Sequence, residues 1–175
     1  MDYMVLEIFV LSILRAGPVH GYELKRRVQR PSLTPISNNS LYPMLHRFET
    51  QGLVIKTTEI QEGKPARNVY EITDAGRAQL TARLSTLSRE LASSEEEFLA
   101  RVSFFHEIPE QNQREIIAAR EAALDDARRQ IGALVDELDF SEKTQWRSRV
   151  LHHVLDNIDN ERTWITDLAK KAVLQ

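Results

Sequence analysis

Asn38-Asn39-Ser40-Leu41-Tyr42-Pro43-Met44-Leu45-His46-Arg47-Phe48-Glu49-Thr50 is the stretch that decides the fold of this 175-residue chain. Leu41, Leu45 and Phe48 stand at i, i+4 and i+7, the spacing of one helical face, so they form a buried side. Asn39, Tyr42, Pro43, His46 and Thr50 then fall opposite, with Arg47 on the flank. That outward side offers amides, hydroxyls and an imidazole, with no Asp or Glu. Such a face suits a helix that approaches phosphates and base edges better than one that only needs wetting. Ser37 or Asn38 is the expected N-cap, and Gly52 closes the helix. Pro43 lacks a backbone donor and is compatible with this reading only if the helix starts late, near Asn39 or Ser40.

On the N-terminal side, Val5, Ile8, Phe9, Ser12 and Ile13 follow one face of a first helix, which Ala16-Gly17-Pro18 stops. A second helix opens at His20-Gly21 and runs to about Gln29, with Tyr22, Leu24 and Val28 as apolar positions and Lys25-Arg26-Arg27 exposed. On the other side of Gly52 the period shifts toward 2. Leu53 to Ile60 and Ala66 to Ile72 are rich in Val, Ile, Thr and Tyr, and Gln61-Glu62-Gly63-Lys64-Pro65 between them has turn composition, which predicts a hairpin. Thr73-Asp74 reads as a new helix start. Helix, helix, turn, helix and two-stranded hairpin is the order of a winged helix-turn-helix.

The remainder is helical in pattern. Leu80, Leu84, Leu87, Leu91 and Phe98 step by threes and fours. Ile117, Leu124, Ala127, Ile131, Leu134 and Leu138 repeat the spacing after Pro109, and Leu151, Val154, Ile158, Ile165 and Leu168 repeat it after a cap at Ser141. Three long amphipathic helices with little loop between them cannot each bury a stripe alone, so pairing of two chains through this half is expected; a self-contained three-helix bundle is the alternative. All glycines but Gly132 and all prolines but Pro109 lie before residue 80, which divides the chain near Gly76. The expected fold is mainly α: a winged helix-turn-helix over residues 1–78 with a two-stranded β-hairpin wing, then a long-helix dimerisation domain over residues 79–175.

Charge follows the same division. Residues 1–82 hold 10 Lys and Arg against 8 Asp and Glu, whereas residues 83–175 hold 13 against 18. A basic head on an acidic body fits contact with a polyanion at one end. There are no cysteines, so disulfides and thiolate chemistry are excluded and a reducing cytoplasm is the expected compartment. Met4 to Leu14 is apolar but interrupted by Glu7, and no stretch approaches the roughly 20 apolar residues of a membrane span. Neither Glu95-Glu96-Glu97 with His106 nor His152-His153 with Asp156 and Glu161 has the HExxH-type i, i+4 pair of histidines, adjacent His152 and His153 point about 100° apart on a helix, and no phosphate-cradling glycine loop or nucleophile elbow occurs. No enzyme, metal or cofactor is expected. A helical scaffold or partner-binding coiled coil would account for the second half alone and leave the winged half without a purpose.

The candidate contact residues are Asn38, Asn39, Ser40, Tyr42, Pro43, His46 and Arg47 of the third helix, with Lys64 and Arg67 of the hairpin. Tyr42 reads either as a core edge or as a hydroxyl bonding a phosphate. His46 reads equally as a solvated residue or a base reader. Lys64 and Arg67 flank Pro65 at a rigid basic corner that is either simply solvated or lies along a phosphate backbone. Phe104, Phe105, Trp146 and Trp164 could line a cavity for a small effector, although aromatic residues at helical spacing more often serve packing.

Four separated segments carry a resemblance: His20-Gly21-Tyr22-Glu23-Leu24, Ser40 to Glu49, Gly52-Leu53-Val54, and Tyr70-Glu71-Ile72-Thr73-Asp74-Ala75-Gly76-Arg77. In this order they resemble the PadR family of transcriptional regulators. The second half resembles, by pattern, the long helical C-terminal domain of the longer PadR subgroup, with Trp164 in the place of a tryptophan near the end of the last helix. Phe48 stands where many members have Leu, and Asn68 where a second basic residue is frequent. The resemblance implies a homodimer that binds an inverted-repeat operator in double-stranded DNA, commonly as a repressor, relieved in some members by a small effector such as a phenolic acid.

Overall fold

A computed structural model describes residues 3–29, 37–60, 66–137 and 145–172. Among these, the residues up to Ser85 together with Leu99–Phe104 form one compact unit, and Thr86–Phe98 together with the residues from Phe105 onward form a second. The first unit contains α1 (Tyr3–Arg15), β1 (Val19–His20), α2 (Gly21–Gln29), α3 (Asn38–Thr50), β2 (Val54–Glu59), β3 (Arg67–Ile72) and α4 (Asp74–Leu84). This is the element order of a winged helix-turn-helix, with the expected hairpin as its wing.

Helix α1 is the centre of that unit. Val5, Leu6, Ile8, Val10, Leu11 and Leu14 are all buried, whereas Phe9, Ser12 and Ile13 of the expected stripe are only half-buried. A helix enclosed on several sides has no single apolar stripe, so a periodic pattern misplaces its face. Leu24 and Val28 of α2 and Leu80 and Leu84 of α4 are also buried in the first unit's core.

The sheet has a third strand that periodicity does not reveal. β1 is two residues long and pairs antiparallel with β3, Val19 opposite Tyr70, giving the order β1-β3-β2. In the wing, Val54 faces Ile72 and Glu59 faces Arg67. Only Val54 of β2 is buried; the rest of the strand stands in solvent on both faces.

The corner between α3 and the wing is closed by Gly52, whose φ of 69° places it in the left-handed region. Gly52 N–H donates to the Glu49 carbonyl at 3.0 Å and Leu53 N–H to the Phe48 carbonyl at 2.8 Å, the paired bonds of a Schellman ending. Thr73, the cap of α4, returns to the same corner: its hydroxyl donates to the Gly52 carbonyl at 2.7 Å and accepts from Gly76 N–H at 3.0 Å.

The expected continuous helix from Leu80 to Phe98 is not formed. It is divided into α4, a short α5 (Arg89–Ala92) and α6 (Glu95–Val102). Ser88 and Ser94 account for the breaks, since their hydroxyls accept from Leu91 N–H at 3.3 Å and Glu97 N–H at 3.4 Å and start new helices. The expected division after residue 78 falls inside α4, all of which belongs to the first unit.

In the second unit a 3-10 turn (Phe105–Glu107) leads into α7 (Glu110–Asp136), and α8 (Gln145–Ala172) runs antiparallel to it. Ile117, Leu124, Ile158 and Ile165 are buried in this unit. Arg120–Glu161, Arg162–Asp125 and Arg128–Asp159 ion pairs join the two helices. The expected cap Ser141, and Leu138, lie outside the described residues. No helix among the described residues is long and apolar enough to cross a membrane.

Candidate nucleic-acid interface

The interface is built on α3. Its first turn is fixed by Ser37, whose hydroxyl accepts from Asn39 N–H at 2.9 Å, so Ser37 is the cap and Asn38 the first helical residue. Pro43 therefore lies inside the helix rather than in its opening turn. The N–H that would have bonded the Asn39 carbonyl is missing, and since both residues are exposed, water can satisfy that carbonyl.

Leu41, Met44, Leu45 and Phe48 are completely buried. Asn38, Asn39, Tyr42, Pro43, His46 and Thr50 are exposed, and Ser40 is half-buried. The helix thus divides by face along the expected line, with Met44 added to the buried side. Three contacts narrow the roles of individual residues. Asn38 Oδ1 accepts from Lys25 Nζ of α2 at 2.8 Å, which ties the start of α3 to the preceding helix. His46 Nδ1 lies 3.7 Å from a Glu49 carboxylate oxygen, so the outward face has an acid at its edge that a reading of faces alone overlooks. The guanidinium of Arg47 engages Glu7 of α1, a carboxylate only 3% exposed, which also takes Arg83 of α4 at 2.6 Å. Arg47 thus ties α3 to α1 while its side chain stays 39% exposed.

Tyr42 lies over the start of α2. A Cβ placed on Gly21 would sit 3.4 Å from Tyr42 Cε1 and 3.2 Å from Tyr70 Cε2, so glycine gives both rings their room. Burial, and then the neighbouring Tyr42 and Glu49, push the Tyr70 phenol above its ordinary pKa. On the wing, Arg67 is exposed, and Asn68 Oδ1 accepts from the Thr58 hydroxyl across the hairpin at 3.1 Å. Lys64 and Pro65 lie outside the described residues.

Tyr22 was expected on the apolar side of α2, yet it is 77% exposed. The signal was available: Leu24 and Val28 are separated by four residues and share a face, whereas Tyr22 and Leu24 are separated by two and point about 200° apart.

The four aromatic residues expected at an effector cavity have separate surroundings. Phe104 tilts against Phe9 with ring centroids 6.0 Å apart, and Phe105 is buried in the second unit. Trp164 meets Phe98 edge-on, and Trp146 is exposed with Arg149 over its ring at 5.3 Å. Trp146 and Trp164 lie on the same helix, separated by about 27 Å along its axis, too far to line one small-molecule site within a chain. Among the described residues no group of three or more His, Cys, Asp or Glu could hold a metal ion. His152 Nδ1 lies 2.8 Å from the Ser148 carbonyl and His153 Nε2 3.1 Å from the Asn157 amide, so each ring has its own local partner.

Comparison with known proteins gives consistent matches. Residues 10–82 match the Transcriptional regulator PadR-like family. The chain is 39% identical over 89 residues, 49% of its length and 81% of the relative's, to the Transcriptional regulator Rv3488 of Mycobacterium tuberculosis. It is 22% identical over 173 residues, covering 94% of this chain and 95% of the other, to the Negative transcriptional regulator PadR of Bacillus subtilis. Among solved structures, Bacillus subtilis PadR in complex with operator DNA aligns over 96% of this chain and 99% of that chain, with 19% identity and a TM-score of 0.46.

Proposed function

This chain belongs to the PadR-like family of transcriptional regulators, and from that premise we propose that it represses transcription by binding an inverted-repeat operator as a homodimer. It is a regulator and not an enzyme. The observation that carries the DNA role is the division of α3: four side chains are wholly buried, while Asn39, Tyr42 and His46 are exposed on the other side. A helix so held can enter a major groove without disturbing its own core. Asn39 would read base edges, His46 would approach them, and Tyr42 and Arg67 would position the unit on phosphates. The repressor sign is taken from the name of the Bacillus subtilis relative.

Leu134, Trp146, Val150 and Trp164 are large apolar residues exposed on α7 and α8, which favours burial against a second copy of the chain. Pairing in this way would set two α3 helices about 34 Å apart, one turn of duplex, with the dimer acting in the cytoplasm. Selection of bound sequences from random DNA tests the proposal. A palindromic product is expected, and Asn39→Ala should blunt discrimination between operators, whereas Tyr42→Ala should weaken all duplexes about equally. A selection that enriches no sequence, or variants that leave affinity unchanged at moderate salt, would remove α3 from its role.

A further inference from the structure

Between the first turn of α2 and the start of β3, at the tip end of the wing, lies an open cleft of about 600 Å³, whose lining includes His20, Tyr22, Tyr42, Arg67 and Asn68. We propose that this cleft receives a phosphodiester of the DNA backbone, with Tyr22 and Tyr42 as hydroxyl donors and Arg67 as the cation. Tyr22 is then a DNA-contacting residue outside α3. The inference rests on the assignment of α3 as the helix that meets DNA.

Three observations point to this occupant. The cleft gathers groups from three elements: Tyr22 from α2, Tyr42 from the outward face of α3, and Arg67 from β3. Tyrosine hydroxyls and arginine are among the side chains that bond phosphate oxygens irrespective of sequence. A single exposed tyrosine would need no explanation, but this one opens onto the same space as two groups proposed above to contact DNA.

The second observation is positional. Gly21 leaves room for Tyr42, whose hydroxyl oxygen would be only 3.6 Å from a Cβ at that residue. The Tyr42 ring and hydroxyl are thereby held against the start of α2, beside Tyr22.

The third is charge. Glu23 also lines the cleft, but its carboxylate is engaged by Arg26 at 2.7 Å and Arg27 at 2.8 Å. Bonds from Arg27, then Arg26, hold it below the usual carboxylate range, so it stays ionised and its charge stays compensated by both cations. Glu59, the residue across the wing from Arg67, has its carboxylate 4.0 Å from His20 Nε2 and lies outside the lining, so within the lining an anion meets Arg67 and the compensated Glu23. An open cleft also suits a polymer strand passing through, whereas small ligands are enclosed over most of their surface.

Tyr22→Phe and Arg67→Ala in the full chain test the assignment, by fluorescence anisotropy on the selected operator and on a scrambled duplex over a series of salt concentrations. Tyr22→Phe should weaken both duplexes by a similar factor, about fivefold to tenfold, as loss of one hydroxyl donor predicts. Its thermal midpoint should be unchanged because the hydroxyl is in solvent. Arg67→Ala should lower the slope of log affinity against log salt by about one. Unaltered affinity of Tyr22→Phe on both duplexes, with Asn39→Ala still relaxing operator choice, would overturn the cleft and leave α3 in place. Weakening confined to the operator would overturn the phosphate assignment. Absence of binding by the unsubstituted protein to any duplex would overturn both readings.

Discussion

The carboxylate of Glu7 on α1 grips the guanidinium of Arg47 on α3. A carboxylate taken this far out of water must be compensated, and Arg83 of α4 supplies the second cation at 2.6 Å. One buried acid thus links three helices, and its partner on α3 lies one residue after His46 and one before the fully buried Phe48. Glu7→Gln removes the charge and leaves two arginines facing an amide. We expect a loss of about 2 kcal/mol in urea unfolding and a fall in operator discrimination, although Glu7 itself cannot reach DNA. If Arg47 instead met DNA directly, Arg47→Ala would lower the salt slope by about one while Glu7→Gln left discrimination intact; parallel anisotropy titrations separate these outcomes.

Much of this is legible in the sequence because the informative signals are local. Leu41, Leu45 and Phe48 announce the buried face of α3 by spacing, Ser37 its start by hydroxyl chemistry, and Gly52 its end by the left-handed turn. What stayed hidden depends on partners distant in sequence. Glu7 looks like an interruption in an apolar helix until Arg47 and Arg83 surround it, and the two-residue β1 becomes a strand only through Tyr70 and Val69. The stepping of Leu80, Leu84, Leu87, Leu91 and Phe98 suggests one continuous helix, whereas the hydroxyls of Ser88 and Ser94 compete successfully for the backbone and break it.

Gly76 sits where the first turn of α4 crosses the α3 to β2 corner. A Cβ there would lie 2.7 Å from Ile72 Cγ1 and closer still to the Leu53 carbonyl oxygen, a backbone atom that cannot rotate away. Gly76→Ala normally favours a helix, by about 1 kcal/mol. Here the overlap should dominate and destabilise the protein by about 1–3 kcal/mol, and the Thr73 to Gly52 bond should weaken with it. An equilibrium unfolding curve at or above the unsubstituted midpoint would contradict this account.

Asp159 of α8 gives a pH dependence of known sign. Its hydrogen bond from Arg128, ahead of the remaining effects, holds its carboxyl below the ordinary value, and the same bond raises Arg128. A carboxyl whose folded pKa is depressed adds stability above its unfolded value, near pH 4, and loses it as pH falls through the lower folded value. Asp159→Asn should therefore be less stable than the parent at neutral pH, with the difference closing as the solution is acidified. Both groups are exposed, so added salt should shrink the gap as well. Thermal midpoints of the two proteins across pH and salt provide the check, and a gap that widens in acid would reverse the sign.

Arg120 is the counterpart of Glu7 in the second unit, and its burial makes it the more severe test. It is 4% exposed, holds Glu161 of α8 through two bonds of 2.8 and 2.7 Å, donates to the Ala92 carbonyl at 2.8 Å, and lies 6.0 Å over the Phe98 ring. Removing only the cation leaves Glu161 and a backbone carbonyl without their donor, so Arg120→Ala should cost about 3–5 kcal/mol. Replacing both charges, Arg120→Met with Glu161→Met, removes the desolvated pair together and should recover a large part of that loss, because two apolar side chains of similar length can fill the space between α7 and α8. The coupling from a double-mutant cycle in urea would then be strongly favourable for the native pair. Additive losses would mean that the two residues act independently, and α7 and α8 would owe their alignment to Ile117, Leu124, Ile158 and Ile165 instead.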